Sequence, residues 1–288
     1  MPASAPLPDR LSVVAVPIGN PRDLSPRAGE ALASAQVIFC EDTRKTLDLL
    51  KRSGISSGAK LIAVPGDSEF QTDWQRYCSP EYRHWVLVSD AGTPIVNDPG
   101  SSLLEFCRKQ GVLVEALPGA SAPTLAWQWS GGFGLPFSFA GFAPKVSRSA
   151  TSKWEHFLPA AQTQGTFCFF DTRHQVMNTL EYIAETYPNA RLYIAREMTK
   201  AHEELLFGSA SELAAIIAQR LEADQVGELC LLLDMASLQS EGAAPAAQIS
   251  PEDLIKFRTA STKDASKMMA KWCNLPTRDA YKRLCDET

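Results

Sequence analysis

Four times within the first 122 residues, a short and almost unbroken apolar run ends in a loop of small, proline-rich or acidic residues. Leu11–Val16 runs into Pro17-Ile18-Gly19-Asn20, and Val37–Cys40 into Glu41-Asp42-Thr43-Arg44. Trp85–Ser89 ends at Asp90-Ala91-Gly92-Thr93-Pro94, and Val112–Leu117 at Pro118-Gly119-Ala120-Ser121-Ala122. A fifth run, Leu61–Val64, has the same character. Strands without polar alternation are buried on both faces, which requires helices above and below the sheet. Helix signals lie where that demands them. Ser25-Pro26 supplies a cap and a first-turn proline for a helix reaching about Ala35, and a second spans about Ser101 to Gln110. Alternating strands and helices predict a largely parallel α/β sheet.

Gly131–Pro144 breaks the rhythm with glycines, prolines and four phenylalanines, as expected of a crossing into a second body. Strands resume at Thr166–Phe170, Leu192–Ala195, Glu204–Phe207 and Glu228–Leu233, with helices around Gln175–Thr186 and Ala210–Glu222. Residues 237–249 have the small, polar composition of a linker, and Ser250–Thr288 reads as short helices opened by Ser250-Pro251-Glu252-Asp253. The predicted organisation is a flexible tail at 1–10, an α/β domain at 11–132, a second at 133–236, and a small helical domain at 250–288.

Composition narrows the class. With 288 residues, 45% of them hydrophobic and 21% charged, the chain has the make-up of a globular protein of about two domains. No apolar run approaches the roughly 18–20 residues of a membrane span, and the opening MPASAPLPDR lacks the pattern of a secretory signal. Seven cysteines without a C-x-x-C pair suit free thiols in a reducing, cytoplasmic setting, and no histidine pair has metal-ligand spacing, so no metal is expected. The net charge of −5 is unevenly spread: residues 250–288 hold eight Lys/Arg against six Asp/Glu, on an otherwise acidic chain.

In a parallel sheet, ligands collect at the carboxyl ends of strands, where the four loops lie. G-x-G-x-x-G and the P-loop pattern are both missing. Gly119-Ala120-Ser121-Ala122-Pro123 fails G-x-S-x-G at its last position, which disfavours a hydrolase.

The segments VAVPIGNPRDLSPRAGEAL, FCEDTRKT, LVSDAGTPIVNDPG, LPGASA, GFAPK and IAREMTKAHEE follow one another in a recognisable order. Together they resemble the ribosomal RNA small-subunit methyltransferase I (RsmI) family of the tetrapyrrole methylase superfamily, over about residues 11–234. KDASKMMAKWCNLPTRDAYKRL is similar to the C-terminal helical domain of full-length members. The resemblance implies two α/β domains with S-adenosylmethionine (SAM) in the cleft between them, in a homodimer. It further implies 2′-O-methylation of a cytidine ribose in 16S rRNA within the 30S subunit. By motif, the cofactor contacts fall on Pro17, Asp90, Ala91, Gly92, Thr93, Val96, Ser121, Ala122, Asp171 and Met198.

A ribose hydroxyl is a poor nucleophile until its proton is removed or polarised. Asp42, Glu41, Glu197 and Lys200 are the candidates, with Asp42 and Lys200 as the favoured pair, and Arg44 and Arg196 as phosphate holders. The chain departs from the family pattern at Pro21-Arg22, at Pro65–Glu69, at Asp171–Gln175 (DTRHQ) and in GFAPK. Two further readings share the fold: a methyltransferase for a tetrapyrrole or a modified histidine, and a SAM- or RNA-binding protein without catalysis.

Overall fold

A computed structural model of the chain describes residues 6–64, 74–145, 154, 157–158, 164–223, 226–238, 257, 260–272, 277–278 and 281. The departure at Pro65–Glu69, residues 1–5 of the predicted tail, and most of the linker and C-terminal helical segment lie outside these residues. In that last segment a helix, Thr262–Trp272, is described.

The first sheet consists of β1 (Arg10–Val14), β2 (Val37–Cys40), β3 (Lys60–Ala63), β4 (His84–Leu87) and β5 (Leu113–Leu117), in the order β3-β2-β4-β1-β5. Every pairing is parallel, as the unbroken apolar runs predict. Helices α1 (Pro26–Ser34), α2 (Thr43–Arg52), α3 (Ser101–Lys109) and α4 (Ala122–Ser130) join or follow the strands. Two apolar layers result. Leu11, Phe39, Trp85 and Leu103 fill one face of the sheet, and Val14, Leu32, Ile38 and Val86 the other. The ordered body begins before Leu11: Leu7 packs into the first layer, and Arg83 pairs with Asp9.

The second sheet is mostly antiparallel. Its strands are β6 (Phe137–Phe142), β7 (Thr166–Asp171), β8 (Arg191–Arg196), β9 (Glu204–Ser209) and β10 (Leu229–Asp234), in the order β6-β7-β10-β8-β9. Only β6 and β7 are parallel; β7-β10-β8-β9 is antiparallel throughout. A seven-residue turn, 197–203, is too short for a crossover, so β9 returns beside β8 as a hairpin. The segment Gly131–Pro144, expected only as a crossing, contains edge strand β6. Its register shifts between Phe139 and Phe142, around Gly141 at φ +74°. Glycine density hides such a bulged strand from pattern reading.

Helices α5 (Val176–Thr186) and α6 (Ala210–Glu222) cover one face of this sheet, burying Leu180, Ile183, Leu213 and Ile217. The other face is covered by the first body. Ala122, Leu125, Ala126 and Trp127 of α4, with Ile18, pack on Cys168, Ala195, Cys230 and Leu232. Among the described residues no helix is long and apolar enough to cross a membrane. The five described cysteines are free.

Leu231 is fully buried at the centre of β10, with α5 and α6 beyond it. Leu231→Ala is expected to lower unfolding stability by about 2–5 kcal/mol through lost transfer energy and a residual cavity, measured by urea titration.

Candidate active site

The four strand-end loops form one structure. The β1 loop and the DAGTP loop are joined by two backbone hydrogen bonds, Val16 N–H to Gly92 O at 2.8 Å and Gly92 N–H to Val16 O at 3.1 Å. Gly92 adopts φ +77°, a conformation costly for any side chain, and its Cβ position lies 3.2 Å from Ile18 Cγ2. Thr93 donates through Oγ1 to Ala120 O at 2.9 Å, tying in the PGASA loop. The EDTR loop is held by Asp90, whose Oδ1 accepts the Asp42 N–H at 2.9 Å and whose Oδ2 lies 2.8 Å from Lys45 Nζ.

The second body meets these loops through the turn after β8. A Cβ on Gly19 would lie 2.6 Å from Lys200 Cγ and 2.7 Å from Thr199 Oγ1, so only glycine permits this approach. Asn20 N–H donates to Thr199 Oγ1 at 3.1 Å. Within the turn, Glu197 and Thr199 hold φ of +48° and +64°. Such backbone in non-glycine residues is strained, and surrounding contacts must hold it. Here Glu197 Oε1 accepts the Glu228 N–H at 2.9 Å and the Lys200 ammonium at 3.0 Å.

Two cavities open between the bodies. The first, of about 540 Å³, is lined from the first body by Ile18, Glu41, Lys45, the loop Asp90–Thr93, Val96–Asp98 and Ser121–Pro123. Phe142, Phe170–Arg173, Met198 and Gly227–Cys230 close it from the second body. Nine of the ten cofactor positions implied by motif thus share one cavity; Pro17 instead lines the second. That second cavity, of about 940 Å³, is bordered by Gly19, Asn20, Asp42, Arg44, Asp48, Arg52, Thr199 and Lys200. Ile18, Lys45, Asp90, Ala91 and Glu228 line both, and so form the wall between them.

Charge is distributed unevenly across the cleft. Arg44 grips Asp42 by side chain and backbone and holds its carboxyl down at about 2. Burial alone would lower Lys200, but Glu228 and Glu197 outweigh it and keep the ammonium charged. Burial likewise works against ionised Glu197, yet the Glu228 N–H and Lys200 bring it below the usual carboxylate range. Glu41 is raised, by burial and then by the neighbouring Asp90. Burial also raises Asp171, against the Thr179 hydroxyl beside its carboxylate and the Thr172 N–H that Oδ1 accepts at 2.7 Å.

Of the catalytic candidates, Asp42 and Lys200 line the second cavity, and Glu197 lines neither, standing behind Lys200 and Glu228. Arg196 corrects the sequence reading. It is buried, donates to the His202 carbonyl at 2.7 Å and lies 3.4 Å from Glu204, so it braces the β8–β9 hairpin and is not free for phosphate. Lys45, Asn97, Asp98, Gly227 and Glu228 were not singled out by sequence. A signal existed for Lys45: the first turn of α2 carries two cations and no acid, against the preference set by the helix dipole.

The chain matches the family model of the Tetrapyrrole (Corrin/Porphyrin) Methylases over residues 10–214. Among solved structures it resembles uroporphyrin-III-C-methyltransferase from Thermus thermophilus (18% identity, TM-score 0.54), over 80% of this chain and 96% of that one. It also resembles the cobalamin biosynthetic cobalt precorrin-4 methyltransferase (13%, TM-score 0.53), over 80% and 96%. Two domains with joined strand-end loops over a shared cleft therefore define a methyltransferase of the tetrapyrrole methylase class. Curated relatives narrow this further. The ribosomal RNA small subunit methyltransferase I of Hydrogenobaculum sp. is 36% identical, over 78% of this chain and 95% of its own length. That of Neisseria meningitidis serogroup A is also 36% identical, over 91% and 88%. The chain belongs to the ribosomal RNA small subunit methyltransferase I family.

The Asp42–Arg44 pair has a pH signature. The folded carboxyl titrates at about 2, below its unfolded value near about 4, so its contribution is present above pH 4 and lost as pH falls towards 2. Arg44→Ala is expected to flatten stability against pH in that window, as followed by acid-unfolding titrations.

Proposed function

We propose that this enzyme transfers a methyl group from SAM, held in the first cavity, to the ribose 2′-hydroxyl of a 16S rRNA cytidine presented in the second. The observation that carries this reading is the pair of cavities with a common wall at Lys45, Asp90 and Glu228, one rich in carboxylates and the other bordered by arginines. A cationic cofactor suits the first; in the second four cations face four carboxylates, and the largely exposed Arg44 is the group placed to meet a phosphate.

The first cavity also fits SAM by its own chemistry. Its carboxylates, Glu41, Asp90, Asp98, Asp171 and Glu228, outnumber Lys45 and Arg173, which favours a cationic ligand. Gly92 brings backbone close to the cavity without a side chain. Asp90, Ala91, Gly92, Thr93, Val96, Ser121, Ala122, Asp171 and Met198 would hold the cofactor, and Pro17 shapes the first loop from the acceptor side. Bound there, SAM supplies an electrophilic methyl on a positively charged sulfur.

Catalysis is then largely alignment of two reactants across the wall. Lys200, kept charged by Glu197 and Glu228, polarises the acceptor hydroxyl. Asp42 orients Arg44, whose largely exposed guanidinium holds a flanking phosphate, with Arg52 beside it. Phe133, Tyr193 and Phe207 form a ring cluster, and the exposed Phe207 and Leu135 offer an apolar surface to a second copy in a homodimer. The weakly basic segment 250–288 adds contacts to the 30S subunit in the cytoplasm.

With purified protein and labelled SAM, 30S particles should accept methyl on a ribose oxygen. The modified nucleotide should then resist alkaline cleavage, because its 2′-oxygen can no longer attack the backbone. Label on the cytosine ring, or on a tetrapyrrole and never on RNA, would overturn the assignment. Gly92→Val, which forces a side chain into φ +77° against Ile18, should weaken SAM binding by more than about tenfold in calorimetry and leave the fold intact.

A further inference from the structure

A methyl group that leaves the first cavity for a hydroxyl in the second must pass where the two meet. Five residues line both cavities: Ile18, Lys45, Asp90, Ala91 and Glu228. Two of them are carboxylates. The other acidic residues stand to one side, Glu41, Asp98 and Asp171 in the first cavity alone and Asp42 and Asp48 in the second. Asp90 has both oxygens engaged, Oδ1 by the Asp42 N–H at 2.9 Å and Oδ2 by Lys45 Nζ at 2.8 Å. Glu228 is gripped through Oε2, which lies 3.0 Å from Lys200 Nζ, and no described residue bonds its Oε1.

The Glu228 side chain is 76% exposed, yet its backbone is held on both sides of the residue. Glu197 N–H donates to Glu228 O at 3.0 Å, and Glu228 N–H donates to Glu197 Oε1 at 2.9 Å. The same Oε1 accepts from Lys200 Nζ at 3.0 Å. One oxygen thus sets both the residue and the cation that grips its carboxylate. Gly227 makes room for this: at φ +64°, a Cβ there would collide with the Glu197 carboxylate. The next residue, Leu229, is buried and opens β10, which lies at the centre of its sheet. Glu228 is therefore delivered to the wall between the cavities by the start of a central strand.

We infer that Glu228 is a catalytic residue, the carboxylate that takes the acceptor's hydroxyl proton during methyl transfer, resting on the hydroxyl acceptor proposed above. A lone pair of the hydroxyl oxygen takes the methyl carbon as the carbon–sulfur bond breaks, and sulfur keeps the electron pair of that bond. The hydroxyl proton passes to Glu228 Oε1. The positive charge lost at sulfur and the negative charge lost at the carboxylate disappear together, so atoms and charges balance.

Position decides this role more than basicity does. An alcohol oxygen that gains a methyl group while still protonated becomes an oxonium, which gives up its proton to any carboxylate within hydrogen-bond reach. Lys200 cannot take that proton, because Glu228 and Glu197 keep its ammonium charged against the effect of burial. An ammonium has three donors. Two of them meet Glu197 and Glu228, and the third remains for the acceptor oxygen. Lys200 thus holds Oε2 and the acceptor side by side while Oε1 stays open. The exposed flank of Glu228 then returns the proton to water.

The test begins with placement, read without turnover. In the full chain, a water-soluble carbodiimide with a small amine should tag both Glu228 and Asp48, whose side chains are 76% and 60% exposed. S-adenosylhomocysteine should protect Glu228 and not Asp48, which lines only the second cavity, and 30S particles should protect both. In single turnover on 30S particles, Glu228→Gln should keep SAM affinity within about threefold and lose roughly 10²–10⁴-fold in rate, with Glu228→Asp recovering part of it. A residue that merely holds Lys200 would add nothing in a Lys200→Met background. There Glu228→Gln should lower the rate by a further factor of at least about ten. Formate should restore part of the rate of Glu228→Ala in either background. An unchanged rate in Glu228→Gln, a double variant no slower than Lys200→Met, or tagging of Glu228 indifferent to S-adenosylhomocysteine would overturn the inference alone. Wild-type protein that leaves no methyl on ribose would overturn the hydroxyl acceptor, and the inference with it.

Discussion

Helix α4 belongs by sequence to the first sheet and by packing to the second, and the cleft exists because of that double allegiance. Its small and aromatic side chains, with Ile18, cover the face of the second sheet that α5 and α6 leave bare. Sheet faces of this kind are buried at about 25 cal/mol per Å² of apolar surface, so separating the bodies would expose both partners. Once they are joined, the strand-end loops of the first body have no choice but to face the turn after β8.

Close approach then replaces side-chain recognition at the contacts between the bodies. Gly19 admits Thr199 and Lys200 at distances no Cβ tolerates, and Gly141, at φ +74°, lies against the Asn97 side-chain amide. The strained residues sit beside these contacts: Glu197 and Thr199 at one, Ile95 and Asn97 at the other. Strain of this kind persists only where neighbours over-determine the backbone. The conformations of the two loops that carry Lys200 and Asp98 are therefore properties of the assembled pair of bodies and not of either alone.

Electrostatics follow from the same arrangement. Arg44 and Lys45 at the positive end of α2 break the usual preference of a helix terminus, and Asp42 and Asp90 compensate them. Local rules broken with a visible compensation are commonest at functional sites. Arg44, Arg52 and Lys200, with Asp42 and Asp48, border only the wider cavity, Glu41, Asp98 and Asp171 line only the narrower, and Lys45, Asp90 and Glu228 stand between them.

Much of this was legible in the chain itself. Runs such as Val37–Cys40, apolar at every position, announce a doubly covered parallel strand, because nothing else buries all four residues. The order of DAGTPIVNDPG and AREMTKAHEE carries the family, and loops at strand ends carry the place of the site. What sequence could not decide was anything that depends on long-range approach. Strand β6 was hidden by the glycines that let it bulge, and the sense of the second sheet's strands was left open by local pattern. Arg196 and Lys200 lie four residues apart in one motif, yet one is buried under the β8–β9 hairpin and the other reaches a cavity. Which carboxylate keeps a cation is likewise a matter of distance: Lys45 lies 2.8 Å from Asp90 although β3 and β4 come between them in the chain. Local pattern determines which elements form, because propensity and burial act over a few residues. Only the tertiary structure sets charge partners and proton affinities, because those depend on what the fold brings within a few ångströms.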